Sequence, residues 1–508
     1  MVFTIPFYIH EVIDRAAEVY PEKIFTVDET HTLSYANFIH TGTQLVHELK
    51  SKYDLRMGDR LLTACENTLL VPLYLYAVSR IGGIFVPLAQ NFQGQRLAHI
   101  LKDCSPKLII TDSENFASRC TGYKVTLQKD ANDLYKTVKN HNPDNNVPET
   151  LIDLDTFLLI YTSGSTGMPK GVALSHSSVI SASESITRYL EIKQDEKIIN
   201  FNPFSFDYGL YQIFITALRG ATLYIYKNFC YKENIFSCLS KNQITGIPFV
   251  PSQVVTMYDR SELKDKKFEH VRFISTTGAP FPHRHVSKLH HNFPNARLYP
   301  MYGLTECKRV SYLHPTKVDR KPTSVGRAMP NSRIRIINEN RQVVPRGETG
   351  MLVIEGRNVM QGYWNITTEV TNNVLGAIPG VRNKILFSGD YFYQDEENDL
   401  FFVGRRDDIV KSNGIRISLK DIEKIIESIP EISEAAVVAV PDDKIENTFH
   451  AFIVKKSNTT ADSNYILQQM LKEVETRFMI PKKITFTGSI PKKTNGKIDY
   501  PVLKAMAG

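Results

Sequence analysis

The chain has 508 residues, and at about 100–200 residues per domain this length predicts more than one domain. Its apolar fraction of 42% and charged fraction of 23% are typical of a folded globular protein and exclude a largely disordered one. The 61 Lys and Arg residues exceed the 54 Asp and Glu residues by only +7, so nucleic acid is not expected as the main partner.

The cysteines and the N-terminus predict a cytoplasmic protein. The six cysteines are scattered without a CxxC pair, so neither a disulfide framework nor a zinc site is expected. Residues 1–6 lack the basic start and apolar core of a signal peptide. The longest apolar stretch, residues 69–87, contains Arg80 and two glycines, so we expect no membrane span.

Helical and strand patterns alternate along the first part of the chain. Apolar residues at helical spacing predict a helix over 8–20, and further helices are predicted at 70–78 and 95–102. Short apolar runs predict strands at 84–87, 107–111 and 156–161. This alternation is typical of an α/β fold in which helices cover mixed β-sheets.

The second part of the chain changes in character. Residues 333–403 consist of short β-rich runs separated by turns, which predicts a β subdomain. Residues 404–508 then show helical patterns at 419–428 and 464–478 and strand patterns at 435–440 and 450–455, enough for a small α+β domain. The predicted division is therefore 1–403 and 404–508.

The strongest motif is the glycine- and hydroxyl-rich run from Tyr161 to Gly171. It follows a predicted strand and precedes a helical pattern that begins at Ser175. Three glycines free the backbone to curl around an anion, and Lys170 adds a positive charge. The run is not a P-loop, because Lys170 is followed by glycine rather than by Ser or Thr.

With this motif the chain resembles the AMP-forming adenylating enzymes, which include acyl-CoA synthetases, luciferases and the adenylation domains of nonribosomal peptide synthetases. Further motifs follow in the order of that family, over nearly the whole chain. They are Gly278-Ala279-Pro280, Met301 to Glu306, Ser388-Gly389-Asp390, Gly404 to Asp407, Lys411 to Arg416, and Pro491 to Lys497.

The resemblance implies a binding site for ATP and Mg²⁺. Thr305 and Glu306 match the pair that contacts the α-phosphate and holds the metal, for which a carboxylate oxygen is a suitable ligand. Tyr302 matches the aromatic residue that stacks on adenine, and Asp390 matches the carboxylate that binds the ribose, with Arg405 beside the same sugar. The other residues implied at the nucleotide are Thr162, Ser163, Gly164, Ser165, Thr166, Gly167, Lys170, Gly278, Ala279, Pro280 and Gly303.

In the family pattern, Lys497 is the lysine that bridges the reacting carboxylate and the α-phosphate during adenylation. Asp407 matches the hinge at which the small domain swings after that step. The implied architecture is a large N-terminal domain with a β subdomain and a small mobile C-terminal domain. A nucleotide-binding module without turnover is the other functional class, but such a module is expected to lack Lys497, Glu306 or Asp390.

The acid-binding pocket is predicted from the same register. Asp207 matches the carboxylate that pairs with the α-ammonium group in amino-acid-activating domains, and a buried carboxylate needs such a partner. The match is incomplete, since Gly209 stands where those domains usually carry Ser, and Tyr211 stands where they often carry Trp. The predicted lining residues are Asp207, Tyr208, Tyr211, Phe249, Ser275, Thr277, Met301 and Arg309.

The substrate and the acceptor are left with alternatives. An amino or imino acid is the first hypothesis, and a non-amino carboxylic acid, as in stand-alone acyl-CoA ligases, is the second. Two alternatives are open for the basic pair Lys308-Arg309. One or both residues face solvent or contact the phosphates or a neighbouring carboxylate. Otherwise Arg309 binds a second acidic group of the substrate with two parallel hydrogen bonds from its guanidinium group. No carrier domain follows Lys497, so a separate carrier protein or CoA is expected to supply the phosphopantetheine thiol.

Overall fold

A computed structural model describes most of the chain. The described residues are 6–163, 168–227, 229, 234–260, 266–279, 281, 283–366, 374–378, 385–405, 409–412, 415–442, 446–457, 459–474, 477–493 and 498–507. The chain divides into two compact units. One consists of Met1–Arg335 and Val353–Phe387, and the other of Ile336–Leu352 and Ser388–Gly508. The boundary at 403/404 stays a prediction.

The helices are α1 (Ile9–Val19), α2 (Tyr35–Tyr53), α3 (Leu70–Ile81), α4 (Gly94–Cys104), α5 (Glu114–Ser118), α6 (Ala131–Val138), α7 (His176–Tyr189), α8 (Asp207–Ala217), α9 (Asn234–Asn242), α10 (Pro251–Arg260), α11 (Val286–Asn292), α12 (Leu419–Glu427), α13 (Ser463–Glu473) and α14 (Tyr500–Ala507).

The strands of the first half are β1 (Ile24–Val27), β2 (Thr32–Ser34), β3 (Arg60–Ala64), β4 (Ile84–Pro87), β5 (Leu108–Thr111), β6 (Val125–Leu127), β7 (Thr156–Ser163), β8 (Pro169–Ser175), β9 (Lys197–Asn200), β10 (Thr222–Ile225), β11 (Gly246–Phe249), β12 (Phe273–Thr276) and β13 (Arg297–Tyr302).

The later strands are β14 (Ser311–Tyr312), β15 (Ser324–Ala328), β16 (Ser332–Ile337), β17 (Gly350–Gly356), β18 (Gly362–Tyr363), β19 (Leu375–Gly376), β20 (Ile385–Gln394), β21 (Leu400–Arg405), β22 (Ile409–Ser412), β23 (Ile415–Ser418), β24 (Ile432–Asp442), β25 (Glu446–Lys455) and β26 (Lys483–Phe486).

The large unit contains two mixed sheets with helices on their faces. Among its described residues, one sheet has the order β18-β8-β7-β4-β3-β5-β6, and the other includes the run β15-β14-β13-β12-β11-β9-β10-β1-β2. Each sheet has its own apolar core, with Leu62 and Ile109 in the first and Ile199 and Ile274 in the second. The predicted α/β class with mixed sheets is confirmed.

The small unit is an α+β structure. β24, β25 and β26 form a sheet in which β24 and β25 are antiparallel and β25 and β26 are parallel. The amphipathic helix α12 begins at Ser418, whose side chain caps the N–H of Asp421, and it buries Ile422 and Ile426 against this sheet. The predicted small α+β domain is confirmed in its class.

Most predicted elements are present, but several boundaries differ, and the largest difference lies at the end of a helix. The helix expected over 464–478 ends at Glu473, because Val474 adopts an extended conformation with ψ of 136°. Residues 477–479 form a separate 3₁₀ turn that buries Met479. The apolar residue at 479 therefore belongs to the core without continuing the helix. Of the helices in the described residues, none is long and apolar enough to cross a lipid bilayer.

Candidate acid- and nucleotide-binding site

The predicted acid pocket lies where three parallel strands end. β11, β12 and β13 are parallel neighbours, with Phe249 opposite Thr276 and Thr276 opposite Pro300. Because the carboxyl ends of parallel strands share one edge of a sheet, Phe249, Thr277 and Met301 emerge at the same place. This edge is the usual position for a ligand in an open α/β sheet.

Asp207 reaches the same edge from the start of a helix. It is the first residue of α8, which follows the parallel strand β9, and Phe206 is its N-cap. The helix lies so close to the preceding loop that a Cβ at Gly209 would approach the carbonyl oxygens of Asn202 and Pro203 to 2.4 and 2.5 Å. Gly209 is therefore required by this packing, which explains the departure from the serine of amino-acid-activating domains.

The carboxylate of Asp207 already has a cationic partner within the protein. Lys308 Nζ lies 3.0 Å from Asp207 Oδ1, and the two side chains are only 4% and 9% exposed. The Thr305 side chain also hydrogen-bonds to Asp207. Lys308 thus supplies a cation to Asp207 from within the chain, and the pairing of Asp207 with a substrate ammonium group stays a prediction.

The electrostatics of this pair reflect its burial. Burial would raise the pKa of Asp207, but the charges of Lys308 and Arg309 and the bond from Thr305 hold that pKa below its ordinary value. Burial also lowers the pKa of Lys308, while the Asp207 charge opposes this shift. Of the two basic residues, Lys308 supplies the contact to a neighbouring carboxylate as an internal ion pair.

Arg309 packs on the aromatic side of the pocket. Its guanidinium carbon lies 4.7 Å from the centre of the Tyr208 ring, and the Tyr208 hydroxyl donates to the carbonyl oxygen of Ser275 at 2.8 Å. Arg309 is 2% exposed, and within the described residues its Nε and Nη1 atoms have no hydrogen-bond partner. The predicted pocket residues Tyr208, Ser275 and Arg309 are therefore brought together.

The turn that carries Lys308 and Arg309 is fixed by a residue that the sequence did not reveal. Asn358, which is buried, donates from its side chain to the carbonyl oxygens of Cys307 and Arg309. Arg309 itself has a positive φ of 72°, which is unusual for a residue other than glycine. A Cβ at Gly303 would lie 3.1 Å from Arg309 Cα, a tight approach that favours glycine there.

The other predicted lining residues are also buried. Tyr211 lies on α8 with its ring 5.1 Å from Lys308 Nζ, and its hydroxyl has no hydrogen-bond partner in the described part of the chain. Met301 accepts a hydrogen bond from Tyr189, and Phe249 packs against Phe201. Together these residues surround a largely apolar and aromatic region.

The predicted phosphate-binding residues converge on one tyrosine. The Tyr363 hydroxyl donates to Glu306 Oε1 at 2.9 Å, and Lys170 Nζ lies 5.2 Å from the centre of the Tyr363 ring. Tyr363 is held there because β18 pairs with β8, which places it opposite Val172. Burial and the neighbouring Glu306 carboxylate both raise the pKa of Tyr363, so its hydroxyl remains a donor.

The predicted ribose-binding residues lie side by side in the small unit. Asp390 on β20 is directly opposite Arg405 on β21, and Arg405 Nε lies 3.3 Å from Asp390 Oδ1. Asp390 is buried, while the Arg405 side chain is 57% exposed. The side chain of Ser388 accepts a hydrogen bond from the Asp390 N–H and fixes the local backbone.

The remaining predicted nucleotide residues are only partly described. Thr162 lies at the end of β7, Tyr302 at the end of β13, and Gly278 has a φ of 94° that favours glycine. Ala279 is exposed beyond β12. The side chain of Ser163 and the residues Gly164, Ser165, Thr166, Gly167, Pro280, Asp407 and Lys497 lie outside the described part of the chain.

Comparisons with known proteins identify the family of this chain. Residues 13–364 match the family model described as AMP-binding enzyme, and residues 421–497 match that of the AMP-binding enzyme C-terminal domain. The chain belongs to the AMP-binding enzyme family. It is an AMP-forming acid–thiol ligase, which activates a carboxylic acid with ATP.

Curated relatives of this AMP-binding enzyme include both stand-alone ligases and peptide synthetases. It is 28% identical to indoleacetate–CoA ligase from Aromatoleum aromaticum over 96% of each chain. It is 27% identical to tyrocidine synthase 1 from Brevibacillus parabrevis, covering 97% of this chain but 44% of that protein. The chain therefore spans only part of the large synthetases that it matches.

Solved structures share the fold. ATP-bound MatB from Rhodopseudomonas palustris superimposes with a TM-score of 0.88 at 23% identity and covers 98% of each chain. The o-succinylbenzoate CoA synthetase from Bacillus subtilis, in complex with its acyl-adenylate, gives a TM-score of 0.85 at 22% identity over 97% of each chain.

The donor set of this AMP-binding enzyme fits a magnesium ion bound together with ATP. Mg²⁺ is commonly held by one or two carboxylates together with substrate phosphates and water. Glu306 supplies one such carboxylate, and the Tyr363 hydroxyl on its Oε1 atom fixes its orientation. Glu306 would therefore hold the ion, whose charge would neutralise phosphate oxygens.

Replacing Tyr363 by Phe is expected to weaken the use of ATP and Mg²⁺. The variant keeps the ring beneath Lys170 but removes the hydrogen bond to Glu306, and a bond to a charged group contributes about 1.5–3 kcal/mol. We expect the KM for MgATP in pyrophosphate exchange to rise roughly tenfold or more. The Tyr391→Phe variant serves as a control, and equal KM values for Tyr363→Phe and wild type would refute the positioning role.

Proposed function

We propose that this enzyme is an acyl-CoA ligase for a carboxylic acid that has no α-ammonium group. The observation that supports this substrate class is the ion pair between Asp207 and Lys308, with 3.0 Å between Oδ1 and Nζ. An amino acid would bring a second cation to a carboxylate that is already neutralised. A non-amino acid leaves the buried pair undisturbed.

An amino or imino acid remains the alternative substrate. It would require its ammonium group to displace Lys308 from Asp207. Displacement would leave two buried cations, Lys308 and Arg309, without the carboxylate that faces them. An unpaired buried charge costs several kcal/mol, so the internal pair favours the non-amino acid.

The proposed reaction has two steps. The substrate carboxylate attacks the α-phosphorus of ATP, an acyl–phosphate bond forms, and pyrophosphate leaves. A thiol then attacks the acyl carbon, loses its proton, and AMP leaves as the thioester forms. Adenylation is needed because a free carboxylate is a poor electrophile.

The chain's own residues act mainly by positioning and by charge. Lys170, Thr305 and the run Thr162–Gly167 would surround the phosphates, and Lys497 would neutralise the charge that develops between the carboxylate and the α-phosphate. Tyr302 and Gly278-Ala279-Pro280 would bind adenine, and Asp390 with Arg405 would bind the ribose. The Thr305–Asp207 hydrogen bond links the phosphate-binding motif to the acid pocket.

We propose CoA as the acceptor and a separate carrier protein as the alternative. The support is the match over 96% of indoleacetate–CoA ligase from Aromatoleum aromaticum. Residues Lys411–Arg416 would line a channel for the phosphopantetheine group, which CoA and a carrier protein both carry. The small domain would swing at Asp407 between the two steps.

The test is pyrophosphate exchange with matched acids, followed by thioester formation. Each α-amino acid is paired with the acid that lacks only the amino group, and wild type is expected to prefer the desamino member. Acyl transfer to CoA is then compared with transfer to a phosphopantetheinylated carrier protein. Preference for the amino acid, or transfer to the carrier alone, would contradict the proposal.

A further inference from the structure

The charges at the end of the acid pocket do not balance. Asp207, Lys308 and Arg309 lie together, with exposures of 7%, 3% and 2%. Lys308 is paired with Asp207, and Thr305 bonds to the same carboxylate. One positive charge, that of Arg309, is left over in this buried cluster.

The hydrogen bonds of Arg309 are also incomplete. Its Nε and Nη1 atoms are buried and have no acceptor among the described residues. A guanidinium stays protonated at all ordinary pH values, so it cannot escape this cost by losing a proton. Leaving a buried charged donor without an acceptor is more costly than leaving a neutral one.

Two described neighbours of Arg309 use their polar groups on other partners. Tyr208 presents the face of its ring to the guanidinium and uses its hydroxyl on Ser275. Asn358 uses its side-chain amide to bind the Arg309 backbone carbonyl, not the side chain. Both nitrogens lie beneath the protein surface without an acceptor among the described residues, so an acceptor on a bound group would satisfy them.

Resting on the proposed function, we infer that Arg309 binds a second anionic group of the substrate, so that the natural acid is a dicarboxylic acid. One carboxylate reacts at the α-phosphate, and the other pairs with Arg309. A carboxylate is the matched partner because its planar, charged oxygens accept from a planar guanidinium. Tyr208, Tyr211 and Met301 pack on the intervening carbon chain or ring.

The backbone at Arg309 agrees with this role. Its φ of 72° lies in the left-handed region, where a residue other than glycine is disfavoured. Asn358 and the close approach of Gly303 hold the turn in this conformation. A strained backbone that carries a buried charged side chain is a common feature of binding sites.

The experiment compares matched acids in pyrophosphate exchange. Linear dicarboxylic acids from succinic to suberic acid are each paired with the monocarboxylic acid that carries a methyl group in place of the second carboxyl. Wild type is expected to prefer one dicarboxylic acid. Arg309→Met should lower the ratio of kcat/KM for that acid to kcat/KM for its monocarboxylic partner roughly 30-fold or more.

Two further variants separate charge, shape and stability. Arg309→Lys keeps the positive charge but loses the two parallel hydrogen bonds that a guanidinium group donates to a carboxylate. It should retain part of the preference for the dicarboxylic acid. Arg320→Gln removes an exposed arginine and should change neither acid. As a readout without turnover, each dicarboxylic acid of the series is added alone, and at least one should raise the melting temperature of wild type but not of Arg309→Met.

The outcomes separate this inference from the proposed function. If wild type prefers monocarboxylic acids in adenylation and Arg309→Met keeps that preference, the inference is overturned. The proposed function then remains intact. If Arg309→Met raises the KM for ATP equally with every acid, Arg309 acts on the phosphates of ATP, and this result would also overturn the inference. If no acid supports exchange, the proposed function fails, and the melting experiment still tests Arg309 by itself.

Discussion

Lys497→Ala is expected to lose most acyl-adenylate formation while largely keeping thioester formation from supplied acyl-AMP. A well-placed donor that stabilises charge in the transition state contributes about 10²–10³-fold to the rate, so the first step should fall by that factor. Lys497 is proposed to act in only one orientation of the small domain. The second step should therefore proceed at a rate close to that of wild type.

The measurement uses two assays on the same preparation. Pyrophosphate exchange reports the first step, and release of AMP from synthetic acyl-AMP in the presence of CoA reports the second. Lys493→Ala, a change in the same motif, serves as the control and should keep both activities. Equal losses in the two assays would reject the assignment of Lys497 to a single step.

The sequence was sufficient for the fold class and for the ordered motifs. The glycine-rich run after a strand predicted an anion-binding loop, and the nucleotide site was implied by the resemblance of the ordered motifs to the AMP-forming adenylating enzymes. Asp390 and Arg405 show why this works, since they stand directly opposite each other on antiparallel strands that are close together in the chain. Local pairing of this kind can be anticipated from sequence.

The partners of Asp207 could not be predicted in the same way. The sequence showed a buried carboxylate at 207 and a basic pair at 308–309, but only the packing of α8 against the strand ends brings them together. The close approach of α8 to the Asn202–Pro203 loop depends on Gly209. In the sequence, Gly209 shows only as a departure from the serine of amino-acid-activating domains. This tertiary contact is the basis for proposing a non-amino acid as the substrate.

Tyr363 and Asn358 were missed for a related reason. Tyr363 belongs to a strand of two residues, which is too short to show any hydrophobic period, and its partner Glu306 is 57 residues away. Asn358 acts through backbone carbonyls, which leave no trace in the sequence of the turn it supports. The run Gly362-Tyr363-Trp364 between β-rich segments was the available signal.

Breaking the Asp207–Lys308 pair from one side is expected to destabilise the large unit strongly. Removing one partner of a buried ion pair leaves an uncompensated charge and costs about 3–5 kcal/mol, so Asp207→Asn and Lys308→Met should each lower the free energy of unfolding by that amount. The double variant lacks both charges, so neither residue leaves a buried charge without its partner. Its loss should be well below the sum of the single losses.

Trp364, the single tryptophan of the chain, makes this cycle measurable. It packs against the core of the β7–β8 sheet, so its fluorescence during urea unfolding reports the large unit separately from the small one. Lys136→Gln, which breaks an exposed pair with Asp133, is the control and should change little. Additive losses would mean that the two charges do not interact in the folded protein. The argument against an ammonium-bearing substrate would then lose its basis, because Asp207 would again lack a partner.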